Sequence, residues 1–228
     1  MAAAERALIV GSGTGLSAAL ARRCRRDGMD VVLAARDTQK LAPLLAETGA
    51  TAIICDATRA ADVEQLFAAV DARGPVDLVV YNASGRARGP IVELDPAAVD
   101  TAIRVTAFGG FLVARQAAIR MAKQGHGTIL FTGASASVKG YPRSSSFAMG
   151  KFALRGLAQS LARELQPQNI HVGHIVIDGG IANPGRTPSG PDALLDPDAI
   201  AESYLHLHRQ HRSAWAWEIE LRPWVENF

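Results

Sequence analysis

Apolar residues along this chain fall into two rhythms that take turns. Short continuous runs at 7–10, 31–35, 51–55, 76–81, 128–131 and 170–177 have the length of strands. The unbroken apolarity of 31–35 suits a strand covered on both faces. Between them the spacing is helical. Residues 16–26 place Leu16, Ala19, Leu20 and Cys24 on one stripe, and 62–72 align Val63, Leu66, Phe67 and Val70. Further helices are predicted over 40–47, 98–123, 147–166 (stopped by Pro167) and 199–210. The last run, 215–221, alternates strictly, with Trp215, Trp217, Ile219 and Leu221 on one face, and reads as a seventh strand.

Repeated strand–helix–strand units with right-handed crossovers predict an α/β, doubly wound Rossmann-type fold. Its sheet would be seven-stranded and mostly parallel, with helices on both faces. The stretch 184–197 is rich in Pro, Gly, Ser and Asp and is read as a short substrate loop. With no internal repeat and no linker, residues 1–228 are expected to form a single domain. A chain of 228 residues that is 48% hydrophobic and 20% charged can fill a large core. The net charge is +2 with dispersed basic residues, and the densest cluster, Arg22, Arg23, Arg25 and Arg26, falls late in a predicted helix, where cations suit the dipole. No nucleic-acid partner is expected. The apolar run at 7–10 is too short for a signal peptide's hydrophobic region, and no unbroken apolar stretch approaches membrane length. The expectation is therefore a cytoplasmic protein with no membrane partner. Cys24 and Cys55 lie inside elements and read as buried free thiols, a staple between them remaining the alternative.

The chemistry gathers where strands end. Gly11-Ser12-Gly13-Thr14-Gly15 follows the first strand and opens a helix at Leu16. Such glycines either serve the tight turn alone or let backbone amides approach a pyrophosphate seated on the helix N-terminus. Arg36 ends the second strand, where an acidic residue would receive a ribose 2′-hydroxyl; an arginine suits a 2′-phosphate instead, so NADP is favoured over NAD, although Asp37 is adjacent. Asp56, followed by Ala57, ends the third strand and can accept from an adenine amino group. Asn82-Ala83-Ser84-Gly85 ends the fourth. Ligands of open α/β sheets bind along this edge.

In this order the motifs resemble the short-chain dehydrogenase/reductase family over nearly the whole chain. Gly11 and Gly15, with Ser17 in the third place, look like its G-x-x-x-G-x-G loop, and Asp56 and Asn82–Gly85 look like its adenine pocket and N-A-G turn. The segment 178–183, with Ile181, is similar to the family turn whose backbone meets the nicotinamide carboxamide. Phe147-Ala-Met-Gly-Lys151 stands where the family has Y-x-x-x-K. The resemblance implies an NADP-dependent oxidoreductase acting on a small carbonyl or alcohol, and a homodimer or homotetramer paired through the helices 98–123 and 147–166.

The implied tetrad is largely absent. Lys151 is present, but Phe147 occupies the tyrosine position, Ala134 the serine and Thr106 the asparagine. Losing both partners of a buried hydrogen bond is far milder than losing one, so the Ala134–Phe147 pair reads as a site settled on another purpose. Ser135 and Tyr141 are the candidate substitute hydroxyls, with Tyr81 also near. The serines at 144–146 read as an N-cap. A non-standard proton source is one reading, and a catalytically silent NADP(H) sensor is the other. Arg86 and Arg88 read as a solvated loop, or as holders of an anionic substrate group. His206, His208 and His211 read as surface histidines, with no metal site expected, and His174 as a satisfied core imidazole.

Overall fold

The computed structural model describes residues 4–183 and 185–226. Pro184 at the head of the loop and the extreme ends of the expected 1–228 domain lie outside the described residues. The first strand, β1 (Arg6–Val10), feeds α1 (Leu16–Arg26). The alternation continues through β2 (Asp30–Ala35), α2 (Ala42–Thr48), β3 (Thr51–Ile54), α3 (Ala60–Asp71) and β4 (Leu78–Tyr81). The second half carries α4 (Pro96–Ile103), a π-helical turn (Arg104–Phe108), α5 (Gly109–Gln124) and β5 (Gly127–Thr132). It ends with α6 (Ser145–Leu165), β6 (Ile170–Ile177), α7 (Pro197–Arg209) and β7 (Glu218–Leu221).

The strands lie in the order β3-β2-β1-β4-β5-β6-β7. Every pairing is parallel, so the sheet is wholly and not merely mostly parallel. Strand order reverses between β1 and β4, which opens a crevice at their C-terminal ends. Successive side chains of one strand serve two cores. Ala7 and Ile9 pack with α1, α2 and α7, while Leu8 and Val10 pack with α3, α5 and α6. Helices on both faces explain why the strand sequences are apolar without alternation.

Three elements differ from the sequence pattern. The last strand begins at Glu218, because Trp215 is occupied elsewhere: its ring stacks on His171 with centroids 4.8 Å apart, and its Nε1 donates to the Gln210 carbonyl. The helix expected over 98–123 is one run from Pro96 to Gln124 broken by the π turn. By length and composition this run contains a stretch apolar enough to cross a membrane. In the fold its buried side packs on the sheet, while Phe108, Phe111 and Ile119 stay exposed. The arginine cluster is not simply solvated: Arg22 pairs with Glu47 and Arg23 with Glu202, both at 2.7 Å, and Arg23 also with Asp27. Cys24 and Cys55 are free and buried, and burial pushes their thiols up to about 12 and about 11.

Candidate active site

The glycine loop is built by contact with the turn after β4. Gly11 has φ +85°, and a Cβ on it would lie 2.3 Å from the Ala83 nitrogen. Conformation and space therefore both exclude a side chain there. Ser12 Oγ donates to the Ile9 carbonyl at 2.8 Å. Ser17 Oγ donates to the Gly11 carbonyl and accepts from Asn82 Nδ2 at 2.7 Å, which ties the loop to the neighbouring turn. The N-terminus of α1, at Gly15, has no side-chain cap and no acidic residue in its first turn. A Cβ at Gly13 or Gly15 would meet no atom within 4 Å. Open space over uncapped amides is what a pyrophosphate requires.

Beyond the loop, toward β2 and β3, lies a cavity of about 570 Å³ lined by Ser12, Arg36, Asp56, Ala57, Asn82 and Ala83 among others. The Asp37 carboxylate accepts the Gln39 N–H at 3.0 Å and so closes its own turn. Asp56 accepts from the Thr58 backbone N–H and hydroxyl at 3.0 and 2.8 Å. Burial raises its pKa, but those bonds and the nearby Arg36 and Arg59 outweigh this and hold the carboxyl below its usual range.

On the other side of Asn82 and Ser84, which line both spaces, a second cavity of about 530 Å³ reaches from Gly15 and Leu16 to Lys151 and Ile181. The two lie side by side at the strand ends, with Asn82 and Ser84 as their common wall. Gly13 and Thr14 lie outside the lining of both, and Gly85 belongs to a shallow side cavity with Arg36 and Arg86. Lys151 is only 3% exposed, and its Nζ donates to the Thr132 carbonyl at 2.5 Å. Burial, reinforced by the charge of Arg86, drives its pKa down to about 7. The Phe147 ring lines the same space, its centroid 5.8 Å from the Lys151 ammonium. Ala134, also in the lining, donates its N–H to Ser137 Oγ at 3.1 Å.

Of the candidate substitutes, Ser135 and Tyr141 both line this cavity. Ser135 hydrogen-bonds Asp178, and Tyr141 hydrogen-bonds Lys139. Tyr81 is turned away, fully buried with its hydroxyl donated to the Val105 carbonyl of the π turn. Thr106, in that same turn, is fully buried and accepts the Gly85 N–H at 2.9 Å. A π bulge often marks a functional site; here it sets Thr106 beneath the turn that carries Gly85.

Two site features escaped the sequence reading. Ser144 occupies the N-cap of α6 without a side-chain bond, so the capping expectation fails. Ser146 instead is fully buried, donating to the Ala87 carbonyl at 2.8 Å and accepting its N–H at 3.0 Å. A run of three serines signals a polar role near a helix start but not which hydroxyl acts. The second is Arg86: it is exposed in an irregular loop, as expected, but its guanidinium carbon lies 3.8 Å from the Phe147 ring centroid. The histidine expectations also shift. His208 is mostly buried and bonds Thr128 at 2.9 Å, because its face of α7 lies on the sheet. His174, its pKa lowered to about 4 chiefly by burial, is neutral and donates through Nδ1 to Glu218, while its Nε2 has no partner among the described residues. No group of three metal-ligating side chains occurs among the described residues.

A parallel sheet with this strand order and a glycine loop at its switch point defines a dinucleotide-binding α/β protein. A model of the short chain dehydrogenase family matches residues 5–190, and the chain belongs to that family. It is 31% identical over 173 residues to a protein named dehydrogenase/reductase SDR family member 4 from Sus scrofa. That match covers 73% of this chain and 62% of the relative, so the chain accounts for less than two thirds of the relative's length. Among solved structures, a short-chain dehydrogenase from Rhodopseudomonas palustris superposes with a TM-score of 0.84 at 33% identity, covering 96% of this chain and 99% of that one. An alcohol dehydrogenase from Thermococcus sibiricus, complexed with 5-hydroxy-NADP, gives 0.86 at 26% identity and covers 99% of both chains.

Proposed function

We propose that this chain is an NADP-dependent oxidoreductase acting on a small carbonyl or alcohol substrate, with a non-standard proton source in place of the family tyrosine. The observation that carries this reading is the pair of adjoining cavities, one lined by Arg36 and the other by Lys151, that share Asn82 and Ser84 beside the uncapped N-terminus of α1. When bound, NADP(H) supplies the hydride. The amides of 11–16 receive the pyrophosphate, and Arg36 receives the 2′-phosphate in place of the acidic residue that would select NAD. Asp56 and Ala57 border the adenine, the 82–85 turn the adjoining ribose, and the backbone at Ile181 the carboxamide. Lys151 holds the nicotinamide ribose. Because its proton affinity is brought near neutrality, its ammonium can also pass a proton to a substrate oxygen. Ser135 and Tyr141, already bonded to Asp178 and Lys139, are the secondary donors.

A second reading, a catalytically silent NADP(H) sensor, is favoured by one observation: Ala134 and Phe147 line the cavity with no hydroxyl between them. A fluorescence titration with NADPH, followed by a panel of carbonyl and alcohol substrates, separates the two. Turnover supports the enzyme, tight binding without turnover supports the sensor, and failure to bind NADPH refutes both. A homodimer or homotetramer in the cytoplasm completes the proposal. Exposed apolar side chains on neighbouring helices support the pairing: Phe108 and Phe111, stacked at 6.1 Å, with Met149 and Phe152 of α6.

A further inference from the structure

We propose that Arg86 is a carboxylate-binding residue, and that the substrate of this site is an oxo- or hydroxycarboxylate, not a neutral ketone or alcohol. The proposal rests on the oxidoreductase reading above and narrows its substrate class.

A guanidinium presents five N–H donors and no acceptor, and stacking one face on a ring leaves that donor edge open to an oxygen ligand. In two other arginines of the molecule carboxylates serve them. Arg155 grips Glu218 with two bonds of 2.7 Å, and Arg120 grips Asp71 in the same forked way. Arg86 differs. It lies 3.8 Å over the Phe147 ring, and no acceptor or carboxylate pairs with it among the described residues. Its electrostatic neighbours are Arg88 and Arg186, and these, after burial, lower its proton affinity. The cavity it lines holds Arg186 and Lys151 as well, and no aspartate or glutamate. Asp178 is buried and spent on Lys139 and Arg222, and Asp95, which lines a side cavity with Arg86, accepts the Ala97 N–H at 3.0 Å.

The backbone that presents Arg86 is fastened on both sides. The Gly85 N–H is held by Thr106 Oγ1 at 2.9 Å, and Ala87 is held through both its N–H and its carbonyl by buried Ser146. A Cβ on Gly85 would lie 2.6 Å from the Ala102 Cα, so the segment is also pressed against α4. An arginine clamped in place and stacked on an aromatic face has little freedom left to lose on binding an anion. This arrangement gives the altered tetrad positions a shared purpose. Phe147 keeps the ring as a platform without the hydroxyl, and Thr106 anchors the neighbouring residue of the arginine. Arg186, whose guanidinium lies against Gly180, is the cation closer to the segment proposed to meet the cofactor.

The test uses NADPH-loaded protein, titrated calorimetrically with oxamate, acetoacetate and levulinate, each against its methyl ester. At least one acid should bind roughly tenfold to a hundredfold more tightly than its ester, the range of a charge-assisted pair. Arg86→Gln should abolish that preference while keeping the parental NADPH affinity. Arg86→Lys, a point charge without the planar stack, should lose most of it, and Arg186→Gln should retain it. Equal binding of acid and ester across the panel overturns the proposal, as does a preference that survives Arg86→Gln or is removed by Arg186→Gln alone. Inorganic phosphate displacing the acids with higher affinity would overturn the carboxylate assignment in favour of a phosphorylated substrate. If the unmodified protein fails to bind NADPH, the oxidoreductase reading falls. The same titrations on cofactor-free protein then still decide whether Arg86 selects carboxylates.

Discussion

Lys151→Met should make the cofactor-free protein more stable, and more so in acid than in base. Burial holds the lysine's pKa at about 7, against 10.5 for the free side chain. Between those values the unfolded chain carries a proton that the folded chain does not. The unfolded state therefore binds more protons, and stability rises with pH across that window. Stated as a penalty, the buried ammonium costs the fold about 4–5 kcal/mol at pH 6, falling to about 2 kcal/mol at pH 9. Methionine has similar reach and no charge. It abandons the Thr132 carbonyl, which loses its donor at a cost of roughly 1–3 kcal/mol, a loss that does not depend on pH. Urea denaturation at pH 6 and pH 9 reads both quantities. The variant should gain roughly 1–3 kcal/mol at pH 6, and its advantage should shrink by about 2–3 kcal/mol on moving to pH 9. An advantage that stayed constant, or grew with pH, would refute the reasoning, because only the titration of Lys151 gives the gap its slope. NADPH affinity should fall in the same variant, as expected where function holds a destabilising group in place.

Restoring the missing hydroxyls should restore ordinary ketone reduction. Phe147→Tyr with Ala134→Ser is expected to raise turnover of reactive model ketones by about 10²–10⁴, the worth of general acid catalysis, with Phe147→Tyr alone gaining less, as followed by NADPH oxidation. Arg36→Leu should bring NADPH and NADH affinities together by weakening NADPH by about 1.5–3 kcal/mol, measured by fluorescence titration; equal affinities in the unmodified protein would count against the 2′-phosphate contact. Light scattering at micromolar concentration should report a dimer or tetramer, and charges at Phe108 and Phe111 should dissociate it; a monomeric parent protein would refute the pairing.

What could be read from the chain alone was whatever depends on local periodicity and on residues close in sequence. Fully apolar strands alternating with amphipathic helices specify helices on both faces of a parallel sheet, because no other layering hides both sides of such strands. The glycine loop was legible for the same reason: five consecutive residues between a strand and a helix have few ways to turn, and Gly11 answers a local φ. The start of β7 was not, since the alternation from Trp215 to Leu221 records which side each residue faces and not where hydrogen bonding begins; the stack of Trp215 on His171, from a different strand, decided that. The same limit applied to the site. That Phe147, Ala134 and Thr106 depart from the family pattern is visible in the sequence, but what they do instead is a relation between distant segments. Arg86 meets Phe147 across 61 positions, and Ser146 holds Ala87 across 59. Neither spacing repeats a helical or strand period, so no pattern in one segment predicts it. Only the folded sheet, by bringing the turn after β4 against the start of α6, places an unpaired guanidinium beside a buried lysine.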